Sequence, residues 1–124
     1  AFVVVCAWVV LPDPVGRFGP KWFGVMPNPA WLVNGARGSH VVTDDLVSAL
    51  RSGHIAGACL DVTDPEPLPQ GHPLWELSNC LITSHSANTL SLGRPYFVNR
   101  IVENIYRYQS GRPLLGVIDP ALGY

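Results

Sequence analysis

Three short runs of this sequence carry side chains able to bind a carboxylate and move a proton. The first is Asn34-Gly35-Ala36-Arg37-Gly38. The Arg37 guanidinium is charged at every working pH and presents a planar fork that matches a carboxylate. Gly35 and Gly38 let the backbone turn sharply around it. A surface arginine in a turn fits the same residues, and composition alone does not choose between the two. The second run is Leu60-Asp61-Val62-Thr63-Asp64-Pro65-Glu66-Pro67. Asp61 ends an apolar stretch, so its carboxylate can face a crevice. Glu66 stands between two prolines, which lower the entropy of placing it. A loop of solvated acids is the competing reading. The third run, Thr83-Ser84-His85-Ser86, sets an imidazole just past an apolar stretch. Imidazole exchanges its proton near neutrality and suits general acid–base work. A carboxylate beside it, such as Glu66, favours the charged ring. A structural histidine capping the next turn is the alternative. His40, His54 and His72 fall in turns or at a helix end and are expected on the surface.

The same side chains raise the question of a metal. Cys80 with His85, or Cys59 with Asp61, would be the candidates. No pair has the tight spacing of zinc ligands and there is no Cys-x-x-Cys, so no metal is expected.

The elements that must position these groups can be read from the apolar pattern. Phe2–Leu11 is rich in valine without alternation, as in a strand of a parallel sheet covered on both faces, and Pro12 and Pro14 end it. Val15–Pro29 holds several glycines and prolines, so any helix there is short. Trp31–Val33 predicts a second strand. Asp44–Ser52 predicts a helix with Thr43 as N-cap, acids in its first turn, Leu46 and Leu50 on one face, and Gly53 just beyond its end. Strands are expected at Ile55–Val62 and Cys80–Thr83, separated by a proline-rich loop over Thr63–Asn79. A last helix is expected from Pro95 to Gln109, with Pro95 in its first turn and Phe97, Ile101 and Ile105 as an apolar stripe. This order implies an α/β sheet with right-handed crossovers. Ligands of such sheets bind beyond the carboxyl ends of the strands, where all three polar runs fall.

Composition sets the outer limits. The 124 residues suit one domain with a modest core, and 48% are apolar, which argues against disorder. A net charge of -1 gives no basic footprint for nucleic acid or an anionic membrane. The leading apolar run is too short to span a bilayer, and no basic residue precedes it as in a signal peptide. It starts without a methionine, which suggests a strand that has lost its N-terminal context. Charged residues make up only 14%, a hint that some surface is meant to be covered. Three widely spaced cysteines, Cys6, Cys59 and Cys80, do not form a disulfide framework and point weakly to the cytoplasm.

Taken together in register, Trp31–Gly38, Leu60–Pro69 and Leu81–Asn88 resemble three successive signatures of the D-isomer-specific 2-hydroxyacid dehydrogenases. The likeness runs from about Met26 to Tyr124, and Gly116–Pro120 looks like a natural end for some members. The resemblance implies a partial Rossmann-like parallel sheet, the nicotinamide half, followed by a C-terminal helix. Residues 1–88 would be the later part of the dinucleotide-binding domain. Residues 89–124 would be a helix and tail returning toward a substrate domain that this chain lacks. Arg37 would bind the substrate carboxylate and polarise the keto oxygen. His85 would be the acid and base on that oxygen, and Glu66 would hold His85 by a hydrogen bond. Ala36, Arg37, Asp61 and His85 would border the cofactor, NAD or NADP. The substrate would be a small 2-keto or 2-hydroxy acid, and a homodimer through the cofactor domain would fit the family's habit.

Two departures stand out. Ser84 occupies a position that is usually proline in the family. No Gly-x-Gly-x-x-Gly occurs anywhere in the chain. The reading is therefore a fragment or truncated member of the family, with poor cofactor affinity expected of the isolated chain. An inactive remnant, or an interaction module that keeps the fold, is the alternative.

Overall fold

The computed structural model describes residues 2–7 and 18–120. The described residues divide in sequence into two compact units, the first ending at His85 and the second beginning at Ser86. The first unit is built on four parallel strands in the spatial order β1-β2-β3-β4: β1 (Phe2–Cys6), β2 (Ala30–Asn34), β3 (Gly57–Leu60) and β4 (Cys80–Ile82). The register pairs Cys6 with Asn34, Asn34 with Leu60, and Leu60 with Ile82. All four carboxyl ends therefore lie along one edge. The connections hold two helices, α1 (Pro20–Phe23) and α2 (Thr43–Arg51), and two 3-10 turns, at Gly38–His40 and Pro73–Glu76.

The core follows from the side-chain alternation of the strands. Ala30 and Leu32 of β2 and Ala58 and Leu60 of β3 point inward against Leu46, Val47, Ala49 and Leu50 of α2, with Ile55 and Leu74 closing the ends. The α2 helix begins one residue before the expected start. Val42 takes the cap position, and no side chain caps the helix. Thr43 instead lies in the first turn and donates its hydroxyl to the Asp64 carbonyl, 2.7 Å away. A tertiary partner has taken the hydroxyl that a local cap would have used. The acids and the stop are as expected: Asp44 and Asp45 sit in the first turn, and Gly53 takes φ +68°, the left-handed geometry that glycine accepts without cost.

The expectation that the first strand is covered on both faces fails. Phe2 and Val5 remain more than half exposed, at 63% and 57%. The β1 strand ends the sheet, and among the described residues no strand pairs with its outer side. Val-rich composition reports what a strand is made to be buried by, and those covering elements are not among the described residues. The proposed extension of this strand to Leu11 lies mostly outside the described residues.

In the second unit, α3 (Leu90–Gln109) starts well before Pro95, which therefore lies inside the helix rather than in its first turn. Its ring removes the N–H that would have reached the Ser91 carbonyl, so the turn before it is held by fewer bonds. The tail folds back on α3: Asn104 Nδ2 donates to the Leu115 carbonyl at 3.0 Å, and the Leu115 N–H donates to Asn104 Oδ1 at 2.8 Å. No residue of α3 is buried, and Phe97, Ile101 and Ile105 stay exposed.

Candidate functional site

The site is assembled where β2, β3 and β4 end. Asn34, the last residue of β2, is buried and folds its side chain over the following turn. Its Oδ1 accepts from the Ala36 N–H at 3.1 Å and its Nδ2 donates to the Arg37 carbonyl at 2.9 Å. This Asx-type turn fixes the backbone of Ala36 and Arg37. Its sequence signal was an asparagine directly after a strand, but the sequence reading gave Asn34 no role. Arg37 itself is exposed, and its Nη1 donates to the Ala36 carbonyl at 2.7 Å.

At the end of β3, Asp61 accepts a hydrogen bond from the Thr83 hydroxyl at 2.5 Å, which ties the ends of β3 and β4 together. Beyond it, Glu66 reaches His85, with Oε1 2.5 Å from Nδ1. The ring nitrogen donates to the carboxylate, which leaves Nε2 turned to the other side. Both side chains are partly in water, His85 at 49% and Glu66 at 39%. An exposed pair of this kind contributes at most about 1 kcal/mol to stability, so its main effect is to orient the ring. His85 takes φ +58°, a left-handed backbone uncommon outside glycine. Strain of this kind, of order 1–3 kcal/mol, persists only where the surroundings hold it, and it clusters at functional positions.

Asp61, Thr63, Glu66, Thr83 and His85 line one side of a cleft of about 260 Å³, and Leu68, Trp75 and Ile82 supply its apolar wall. Trp75 is fixed there by a bond from its indole N–H to the Pro69 carbonyl at 3.0 Å. Of the five residues singled out from the sequence, Asp61, Glu66 and His85 meet in this cleft. Ala36 and Arg37 sit at the neighbouring strand end and do not line it. The sequence reading gave Thr83 and Trp75 no part.

Gly35 and Gly38 do not serve the purpose first assigned to them. Neither takes a positive φ. Gly38 is required instead by close approach: a Cβ there would meet the Thr63 carbonyl oxygen at 1.9 Å.

Among the histidines, His40 departs from expectation. It is fully buried rather than on the surface, and its backbone carbonyl accepts from the Phe18 N–H at 2.9 Å. Burial, and secondarily the nearby Arg37 charge, lowers its imidazole below the ordinary value. His54 is exposed and its Nε2 contacts the Phe23 carbonyl at 2.8 Å, while His72 Nδ1 accepts from the Leu74 N–H at 3.2 Å. Among the described residues no group of three His, Cys, Asp or Glu side chains is placed to hold a metal ion. Cys6, Cys59 and Cys80 are free thiols, and among the described residues no helix is long and apolar enough to cross a membrane.

Residues 1–87 match the family described as D-isomer specific 2-hydroxyacid dehydrogenase, NAD binding domain. The chain belongs to this family. Glyoxylate/hydroxypyruvate reductase A of Serratia proteamaculans (strain 568) is 40% identical over 113 residues, which cover 91% of this chain and 36% of that protein. The crystal structure of a D-isomer specific 2-hydroxyacid dehydrogenase from Xanthobacter autotrophicus Py2, in complex with NADPH and MES, superposes with a TM-score of 0.84 at 41% identity. That match covers 98% of this chain and 50% of the other. The NADPH-dependent glyoxylate/hydroxypyruvate reductase of Sinorhizobium meliloti, solved with NADP and sulfate, gives a TM-score of 0.86 at 33% identity, covering 98% of this chain and 40% of that one. The chain thus spans about a third of the length of the curated relatives it matches. The parallel sheet of this dehydrogenase-family chain is Rossmann-like, as the three signatures had implied.

Proposed function

We propose that this chain is the nicotinamide-side part of an enzyme that interconverts a small 2-keto acid and a D-2-hydroxy acid with NAD or NADP. The observation that carries the reading is the Glu66–His85 hydrogen bond of 2.5 Å at the carboxyl edge of a parallel sheet. The Glu66 carboxylate holds the ring through Nδ1, and His85 Nε2 gives its proton to the keto oxygen as negative charge builds there. In the reverse direction the same nitrogen takes the hydroxyl proton.

Arg37 binds the substrate carboxylate. To do so it exchanges a single bond to its own chain at Ala36 for a two-pronged pair between opposite charges. Substrate binding is favoured in that exchange.

The chain's fit to the cofactor is one-sided. Asp61, held by Thr83 at the strand edge, offers an acceptor suited to an amide N–H. Ala36, Arg37, Asp61 and His85 would hold the nicotinamide end, which supplies the hydride when bound. The glycine-rich phosphate cradle has no counterpart in this sequence. The three free thiols fit the reducing cytoplasm, and the exposed apolar faces fit pairing with a second copy.

A hybrid enzyme tests this reading. The chain replaces the matching segment of the Serratia reductase, and turnover of glyoxylate, hydroxypyruvate and pyruvate is followed by NADH and NADPH absorbance. Reduction of at least one of these acids is expected. A soluble hybrid that binds cofactor and reduces none of them would overturn the proposal.

A further inference from the structure

The segment that carries Arg37 and the loop that carries Glu66 touch backbone to backbone. Gly38 is buried, and a Cβ on it would lie 1.9 Å from the Thr63 carbonyl oxygen, 2.1 Å from the Thr63 carbonyl carbon and 2.7 Å from the Asp64 nitrogen. No side-chain motion relieves such a contact, because every atom in the way is main chain. One residue further along the loop a second tie appears. Thr43, at the start of α2, donates its hydroxyl to the Asp64 carbonyl at 2.7 Å. Inside the loop, the Thr63 hydroxyl donates to the Pro65 carbonyl at 3.0 Å, and Glu66 follows between two prolines. The loop is therefore stiff from Thr63 to Pro67, and a push at Thr63 is carried to Glu66 rather than absorbed.

We propose that Gly38 and Thr43 are positioning residues that set the place of Glu66 against His85. This rests on the reading of Glu66 and His85 as the proton-transfer pair. Gly38 fixes how near the loop comes to the end of β2, and the Thr43 hydroxyl fixes where it lies along α2. Restoring ordinary contact at Gly38 after a Cβ is added requires the loop to retreat by more than an ångström. The Glu66–His85 bond has no slack for that, since hydrogen bonds weaken steeply with distance. Misplacement by ~1 Å at a reacting centre costs on the order of a hundredfold in rate. Neither residue lines the cleft, and their contacts reach Glu66 through Thr63 and Asp64 of the loop.

The test is proton NMR of the histidine rings in the 124-residue chain. The His85 Nδ1 proton, identified by its loss in His85→Asn, should be strongly deshielded, and Glu66→Gln should move it upfield. Gly38→Ala should abolish that deshielded signal while the ring signals of His54 and His72 keep their positions. Thr43→Val should shift it upfield by a smaller amount, and Thr43→Ser, which restores the hydroxyl, should return it to the wild-type position. An unchanged His85 signal in folded Gly38→Ala and in Thr43→Val would overturn the inference. If Gly38→Ala does not fold, the Thr43→Val and Thr43→Ser pair decides alone. If Glu66→Gln leaves the signal in place, the proton-transfer pair itself is wrong, and the positioning role falls with it.

Discussion

At the residue scale, the side chains that do chemistry and those that hold the fold respond to different probes. His85 is of the first kind in the mechanism proposed above. Its left-handed backbone makes asparagine a better replacement than alanine, because asparagine tolerates that geometry while it cannot carry the proton. His40 shows the second kind. Burial lowers its imidazole, so on acidification the unfolded chain takes up this proton before the folded chain does. The contribution is complete above the ordinary histidine value of about 6.5 and is lost as pH falls below it toward the folded value. The melting temperature should therefore drop between about pH 7.5 and pH 5.5, and His40→Gln should flatten that slope. An equal slope in the variant would assign the acid sensitivity to other groups. The thiols follow the same logic. Burial pushes Cys6 and Cys80 up to about 11, so at pH 8 almost no thiolate is present to attack an alkylating reagent. Iodoacetamide should leave both largely unmodified in the folded chain and label them once urea is added.

At the element scale, the core is carried by β2, β3 and α2. Leu32 is fully buried at the centre of this packing. Leu32→Ala should cost about 2–5 kcal/mol, read from urea denaturation, because the sheet and helix cannot close on the space left behind. The four strands and α2 were legible in the sequence because their signals are local: apolar runs bounded by Gly, Pro and Asn, and acids followed by a glycine stop. The places of Arg37, Glu66 and His85 beyond strand ends were legible too, since each lies downstream of such a run. What stayed hidden depends on contacts distant in sequence. Thr43 reads as a cap until Asp64 is beside it, Gly38 reads as a turn residue until Thr63 is against it, and His40 reads as a turn histidine until Phe18 is bonded to its carbonyl. Pro95 was misplaced for a different reason. Proline is commonest in a first turn, and only the helical residues before it show that this one lies deeper.

At the scale of the whole molecule, many large apolar side chains of the described residues lie exposed. Phe2 and Val5 on β1, and Phe97, Ile101 and Ile105 on α3, are all exposed. Apolar patches of this kind favour association, so sedimentation of the isolated chain should show mass rising with concentration. A single monomeric species across the range would contradict this. Without a glycine-rich turn, NADH titrated into the isolated chain should bind weakly, and sub-micromolar affinity would show that another segment cradles the phosphates. The central claim is that His85, oriented by Glu66, moves the proton. It is tested most directly by turnover of the hybrid reductase carrying His85→Asn. The account predicts a fall in kcat of roughly a hundred- to ten-thousandfold with cofactor affinity unchanged. A kcat within a few-fold of the unmodified hybrid would contradict it.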